Sequence, residues 1–111
     1  MRIAAGLHPH NAKHWGPEIE ARLREVLHDK RVSCLGEIGL DYHYDLSPRD
    51  DQERAFRAQI RIAKEAGLPV MLHVREAHDD ALAIMQDEGW PEAGCILHCF
   101  TNDWDTLAPW I

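Results

Sequence analysis

Three short apolar segments of this chain each end close to a side chain that can bind a metal ion. These side chains are Glu37, His73 and His98. In a parallel barrel the carboxyl ends of successive strands meet at one face, so the three side chains are expected to converge although they lie far apart in the sequence. A carboxylate at the end of an apolar run needs a cation beside it. An ion pair would meet that need for Glu37 alone, but the recurrence in three segments favours a metal site.

The apolar segments alternate with amphipathic helical patterns along the chain. Strands are predicted over residues 2–7, 32–38, 68–74 and from 94 to His98 or Cys99. Helices are predicted over residues 17–29, 48–66 and 77–88, with a further helix after Asp103. Apolar side chains recur at helical spacing in each helical segment. Strands that alternate with helices predict an α/β fold with a parallel sheet and right-handed crossovers.

The second helix has clear start and stop signals. Ser47 is predicted to be its N-cap, with Pro48 at the first helical position. Asp50 and Asp51 follow in the first turn, where carboxylates favour the positive end of the helix dipole. Gly67 is predicted to end the helix, because glycine readily adopts the left-handed conformation there.

Two parallel α/β architectures are compatible with this order of elements. A doubly wound nucleotide-binding sheet is disfavoured, because no strand is followed by a G-x-G-x-x-G or G-x-x-x-x-G-K-[ST] motif. A closed (β/α)8 barrel needs eight βα units and about 250 residues. About four βα units in 111 residues therefore predict a partial TIM barrel with parallel strands, and residues 1–111 form one partial domain.

Composition restricts the partners of such a domain. The net charge of −7 argues against a nonspecific electrostatic grip on nucleic acid, although not against a nucleic acid held through metal ions. No apolar run reaches the roughly 20 residues of a membrane helix, and the N-terminal run is too short for a signal peptide, so we expect a cytoplasmic protein without membrane association. Cys34, Cys95 and Cys99 are expected to be buried free thiols.

Several of these segments resemble the TatD-type metal-dependent deoxyribonucleases, a family of amidohydrolase-like TIM barrels. The resemblance covers nearly the whole chain. It rests on residues 6–10 (GLHPH), 36–42 (GEIGLDY), Gln52 with Phe56 and Gln59, residues 69–77 (PVMLHVREA) and 97–101 (LHCFT). The Glu motif and the two His motifs, in this order and at this spacing, are specific to the family.

The resemblance implies a set of metal ligands and an activity. In the family the Glu of the G-E-x-G-L-D motif bridges two divalent metals and the two later His residues complete the second site. Carried over, these are Glu37, His73 and His98. His, Glu and Asp ligands suit Zn, Mn or Mg, and the sequence does not choose among these ions. The implied activity is hydrolysis of phosphodiester bonds in DNA.

The same resemblance places this chain in the centre of such an enzyme, from the second barrel strand to just past the fifth. The family's first-strand His-x-His pair and its late catalytic Asp have no match here. The catalytic Asp would lie outside this chain, so the chain alone is expected to be inactive.

Some roles remain open at the level of sequence. His8-Pro9-His10 looks like a His-x-His ligand pair, but its position matches the second strand of the family, which favours a substrate-side or loop-ordering role. His8, Asp41 and Arg75 are candidate substrate-binding residues, with ordinary solvated loop positions as the alternative. The oligomeric state is also open.

Two further hypotheses concern the function as a whole. A metal centre of this kind also serves ester or amide hydrolysis, so an amidohydrolase-like hydrolase such as an aminoacyl-tRNA deacylase is an alternative. The other is a non-catalytic truncated module, because a half barrel leaves two sheet edges and an apolar inner face uncovered.

Overall fold

The computed structural model describes residues 2–100, and for residues 98–100 it describes the backbone alone. Four parallel strands form one sheet in the order of the sequence. They are β1 (Ile3–Ala5), β2 (Val32–Asp41), β3 (Val70–Arg75) and β4 (Cys95–Phe100). The helices are a 3₁₀ helix (Pro9–His14), α1 (Pro17–Val26), α2 (Arg49–Ala66) and α3 (His78–Glu88). The predicted α/β fold is confirmed, and the helix predicted after Asp103 lies outside the described residues.

The core lies between the sheet and the helices on one of its faces. β2 and β3 contribute apolar side chains on their helix-facing side, and α2 and α3 contribute the apolar stripes that their periodicity predicts. The largest of these fully buried side chains are Leu35, Ile38, Leu40, Phe56, Ile60, Ile62, Leu72 and Met85. Complete burial of an apolar side chain of this size contributes about 1.5 to 3 kcal/mol. This packing fixes the strands whose carboxyl ends carry the polar side chains.

The structure corrects two element boundaries next to those polar side chains. β2 continues past the predicted end at residue 38 to Asp41, which is therefore a strand residue and not a loop residue. Ser47 is not the N-cap of α2, because Pro48 occupies that position without a side-chain cap. The Ser47 hydroxyl instead accepts a hydrogen bond from the backbone N–H of Lys13 and donates one to the carbonyl of His10. Ser47 thus ties the 3₁₀ helix to the loop after β2.

The pairing register shifts by one residue at two of the predicted metal ligands, at Glu37 in the β2–β3 pair and at His98 in the β3–β4 pair. Gly36 pairs with Met71 and Ile38 pairs with Leu72, so Glu37 is the extra residue of β2. Leu97 of β4 pairs with Leu72 and Cys99 pairs with His73, so His98 is the extra residue of β4. The side chain of His98 lies outside the described part. An extra residue of this kind re-aims a side chain relative to the regular alternation of a strand.

Both described cysteines are free thiols, as the sequence predicts, but only one of them is buried. Cys34 is buried and Cys95 is partly buried, and both are free thiols. Burial raises the pKa of the Cys95 thiol to about 11. The side chain of Cys99 lies outside the described part. Among the described residues, no helix has the length and apolar character needed to cross a lipid bilayer.

Candidate metal centre

The carboxyl ends of β2 and β3 and the segment after β1 bring titratable side chains to one place. Oε1 of Glu37 lies 3.7 Å from Nε2 of His8 and 4.0 Å from Nδ1 of His73. Two of the three side chains expected to converge, Glu37 and His73, are therefore neighbours. The backbone of His98 lies on β4, next to β3, but its side chain is not described.

His8, His10 and His73 form a cluster of three histidines beside Glu37. The ring of His8 lies 4.3 Å from the ring of His10 and 4.5 Å from the ring of His73, between centroids. One ring nitrogen of each of the three lies within 4.8 Å of the others, an arrangement that could hold a metal ion. Imidazole nitrogens beside a carboxylate are a donor set that suits divalent cations such as Zn²⁺. The side chains present at this site therefore fit a divalent metal.

Asp41 is the last residue of β2 and is fully buried. Its Oδ2 lies 2.8 Å from Nε2 of His10 and 2.8 Å from Nε2 of His73. Its Oδ1 accepts hydrogen bonds from the backbone N–H groups of His43 and Tyr44. Burial alone would raise the pKa of this carboxyl, but the hydrogen bonds from Tyr44, His73 and His10 outweigh it and bring the pKa to about 2. Asp41 is therefore a carboxylate near neutral pH.

The position of Asp41 argues against the substrate-binding role expected for it. That expectation placed Asp41 in a loop beyond the strand end. In the structure the side chain has no exposed surface, and each of its oxygens is already occupied by two protein groups. A carboxylate closed off in this way touches the histidines and not the solvent.

Two buried glutamines of α2 hold the backbone on which these side chains stand. Gln52 accepts a hydrogen bond from the N–H of Asp41 and donates to its carbonyl, at 2.8 and 3.2 Å. Gln59 makes the same pair of bonds to Leu7, at 2.7 and 3.2 Å. The end of β2 and the residue before His8 are thus fixed by one helix. The sequence signal for these roles is two uncharged amides seven residues apart within the buried stripe of α2.

His8 combines a structural role with a position beside Glu37. Its Nδ1 accepts a hydrogen bond from the N–H of His10, so His8 caps the 3₁₀ helix. This bond agrees with the loop-ordering role favoured from the sequence. Burial, followed by the nearby His73 and His10, lowers the pKa of His8 to about 4, although Asp41 acts in the opposite direction. The ring is therefore neutral near pH 7.

His10 is a site residue that sequence reasoning weighed only as part of the H-P-H pair. The hydrogen bond of its Nε2 to Asp41 depends on the 3₁₀ helix, which turns the ring back over the end of β2. A 3₁₀ helix of six residues is too short for a periodic pattern to predict it, although Pro9 at its first position is a weak local signal.

Arg75 and Tyr44 lie at the exposed rim of the centre. The guanidinium carbon of Arg75 lies 5.0 Å from the ring centroid of Tyr44, within the range of a cation–π contact. Tyr44 is 53% exposed, and its ring meets that of His10 edge-on at 5.6 Å. Substrate binding by Arg75 stays a prediction, and its place at the rim is compatible with that role.

Four parallel strands in sequence order, with histidines and carboxylates at their carboxyl ends, are an arrangement typical of metal centres in TIM-barrel proteins. The chain belongs to the TatD related DNase family, whose model matches residues 1–111.

Relatives and solved structures agree with this assignment. The chain is 44% identical over 99 residues to the metal-dependent hydrolase YabD of Bacillus subtilis. The matched region covers 89% of this chain and 39% of YabD. It is 43% identical over 103 residues to the 3'-5' ssDNA/RNA exonuclease TatD of Pantoea vagans, covering 93% of this chain and 40% of that protein. The crystal structure of the TatD homologue YJJV of Escherichia coli matches 98% of this chain and 42% of its own length, with a TM-score of 0.86 and 28% identity. The chain thus spans about 40% of the length of these curated relatives.

Proposed function

We propose that this chain supplies part of the active site of a metal-dependent hydrolase that cleaves phosphodiester bonds in nucleic acid, with DNA as the expected substrate. The observation that carries the proposal is the position of Glu37, whose Oε1 lies 3.7 Å from His8 and 4.0 Å from His73 at the carboxyl end of the sheet. The Pantoea vagans relative is named an exonuclease of single-stranded DNA and RNA, which supports nucleic acid as the substrate class.

We propose that Glu37, His73 and His98 hold the metal ions. Ring nitrogens together with carboxylate oxygens suit Zn or Mn, and carboxylate oxygens also suit Mg. Two ions in the whole enzyme are what the family resemblance implies. Ions in such a site polarise a phosphoryl oxygen and stabilise the negative charge that develops on it.

The charges around the centre favour one direction of approach for the substrate. A cavity of about 510 Å³ lies beside the ends of β2 and β3, and its charged wall residues are the carboxylates Glu76, Asp79 and Asp80 and the guanidinium of Arg49. The carboxylates outnumber the cation, so the net charge of the walls repels a phosphodiester backbone. Arg75 and the exposed Tyr44 offer a cation and an aromatic face on the histidine side of the centre. We infer that a single strand reaches the centre along that side, where a base can stack on Tyr44.

A chimera tests the proposed activity in a complete barrel. This chain would replace the matching segment of the Pantoea vagans exonuclease, to which it is 43% identical over 103 residues. The expected result is cleavage of a single-stranded oligonucleotide that EDTA abolishes. Glu37→Gln should reduce the cleavage rate by about a hundredfold or more, because it removes a charged ligand. Glu25→Gln is the matched control, since Glu25 is exposed on α1.

Two outcomes would contradict parts of this proposal. A Glu37→Gln chimera that binds zinc and cleaves the oligonucleotide like its parent would rule out Glu37 as a metal ligand. A folded, metal-loaded chimera that hydrolyses an aminoacyl-tRNA ester and leaves DNA intact would favour the deacylase alternative.

A further inference from the structure

One oxygen of Asp41 is shared by two histidine rings of the candidate metal centre. Its Oδ2 lies 2.8 Å from Nε2 of His10 and 2.8 Å from Nε2 of His73. A carboxylate only accepts hydrogen bonds, so each ring must present an N–H at Nε2. In the neutral imidazole the other nitrogen, Nδ1, then carries a lone pair and no proton.

Hydrogen bonds to Oδ1 and to the backbone of Asp41 fix the orientation of its carboxylate toward the two histidine rings. Oδ1 accepts hydrogen bonds from the N–H groups of His43 and Tyr44, at 3.1 and 2.9 Å. The backbone N–H and carbonyl of Asp41 are both held by Gln52. The side chain is fully buried, so water does not compete for these bonds. The acceptor is therefore presented to the two rings in one orientation.

We propose that Asp41 is a positioning residue that fixes His10 and His73 in the Nε2–H tautomer and so directs Nδ1 of His73 toward Glu37 as the ligand atom for a metal ion. The Nδ1 atom of His73 already lies 4.0 Å from Oε1 of Glu37. A carboxylate behind a ligating histidine orients the ring and raises its basicity. The part of this proposal that concerns metal binding rests on the proposed function, whereas the part that concerns the tautomers does not.

Substitution of Asp41 by Asn reverses the hydrogen-bond polarity at the histidines. The side-chain carbonyl of Asn must stay at the Oδ1 position, because two backbone N–H groups point at it. The amide NH₂ then occupies the Oδ2 position and donates to both rings. His10 and His73 would have to accept at Nε2 and carry their proton at Nδ1. Nδ1 of His73 would no longer be available to a metal.

The experiment is nitrogen NMR of the histidine rings in the purified chain. Ring ¹⁵N chemical shifts distinguish a protonated from an unprotonated nitrogen, and the signals of His10 and His73 are assigned by their loss in His10→Gln and His73→Gln variants. In the metal-free wild type near pH 7.5 both rings are expected to carry the proton at Nε2. In Asp41→Asn the proton is expected at Nδ1, and zinc affinity in a titration followed by the same signals should fall by about 10- to 100-fold.

Asp45→Asn is the matched control. Asp45 lies in the same loop, is exposed and pairs with Arg49, and Asn tolerates its positive φ of 51°. It should leave both tautomers and the zinc affinity unchanged.

The wild-type spectrum alone can overturn the proposal, even if Asp41→Asn fails to fold. A proton at Nδ1 of His73 in the wild type, or zinc coordination through its Nε2, would show that Asp41 does not set the ligand atom. A folded Asp41→Asn variant with wild-type tautomers or wild-type zinc affinity would do the same. An inactive nuclease with the expected tautomers would instead refute the proposed function and leave the role of Asp41 intact.

Discussion

At the scale of single residues, one glycine sets how closely β2 approaches the histidine of β3. Gly39 pairs with His73 and has a φ of +144°, a conformation that side chains rarely adopt. A Cβ built at Gly39 would overlap the carbonyl oxygen of His73. Gly39 thus belongs to the geometry of the metal centre although it has no functional group.

Gly39→Ala should therefore destabilise the chain. Backbone strain of this kind costs about 1 to 3 kcal/mol, and displacement of the His73 backbone adds to it. Urea unfolding at pH 7.5 measures the change in the free energy of unfolding. Gly67→Ala is the control, because Gly67 also has a positive φ of 70° but its Cβ would meet nothing within 4 Å. A loss in Gly39→Ala no larger than in Gly67→Ala would show that the overlap with His73 is relieved at no cost.

The partly buried His8 makes the stability of the metal-free chain depend on pH. Its pKa is about 4 in the folded chain, below the ordinary 6.5, because burial and the neighbouring histidines disfavour its charged form. Between these values the unfolded chain binds a proton that the folded chain does not, so the stability contribution present above pH 6.5 is lost as the pH falls toward 4. A shift of this size corresponds to about 3 kcal/mol. The side chain is 29% exposed, and we expect about 1 to 2 kcal/mol after screening.

His8→Asn isolates this effect, because Asn does not titrate and is a favourable N-cap residue. Urea unfolding in EDTA at pH 6.5 and pH 4 should show a smaller loss of stability in His8→Asn than in the wild type. His28→Asn, at an exposed position after α1, should behave as the wild type. Equal losses in His8→Asn and the wild type would mean that His8 is not the group that titrates.

At the scale of secondary structure, α2 connects the hydrophobic core to the metal centre. One face of this helix carries both the apolar stripe and the two amides of Gln52 and Gln59. The apolar residues fix the helix against the sheet, and the amides fix the two backbone segments that carry Asp41 and His8. A change in how α2 packs is therefore transmitted directly to the histidine cluster.

Gln59→Leu tests this connection. It keeps the volume and apolar contacts of the side chain but leaves the N–H and carbonyl of Leu7 without their partner, which costs about 1 to 3 kcal/mol. The amide of Leu7 should also exchange its hydrogen faster. Gln86→Leu, at an exposed position on α3, should change the stability by less than about 0.5 kcal/mol. Unchanged exchange at Leu7 in Gln59→Leu would show that Gln59 does not hold this segment.

The sequence predicts elements better than it predicts the polar contacts between them. The order of strands and helices, the stripe of α2 as far as Ala63 and the helix end at Gly67 follow from local periodicity and glycine conformation, and the structure confirms them. Ala66, which the same periodicity placed in the stripe, is exposed. The convergence of Glu37 and His73 followed from the rule that parallel strands end at one face. The buried position of Asp41 and the hydrogen bonds of Ser47 could not be predicted from the sequence, because both depend on contacts with the distant 3₁₀ helix.

At the scale of the whole molecule, the described sheet ends in two outer strands, β1 and β4. Apolar surface accompanies both. Ile96 of β4 is 46% exposed, and an apolar pocket of about 350 Å³ lies beside β1 and α1. The chain spans about 40% of its curated relatives, and outer strands of a partial barrel are where further strands would pair. Open edges of this kind favour association with other chains.

We expect the purified 111-residue chain to bind zinc weakly and to cleave single-stranded DNA far more slowly than the chimera. Among residues 2–97 the candidate donors at the centre are Glu37 and the three histidines, and the family resemblance implies further ligands that this chain does not match. The strands that carry the donors also have fewer neighbours to hold them than in a closed barrel. A misplacement of about 1 Å can lower a rate by about a hundredfold. Calorimetric zinc titration and an oligonucleotide assay, run side by side on the chain and the chimera, measure both effects. If the chain alone cleaved DNA at the rate of the chimera, and His73→Ala abolished that activity, then the described strands would suffice for catalysis and our account of the incomplete centre would be wrong.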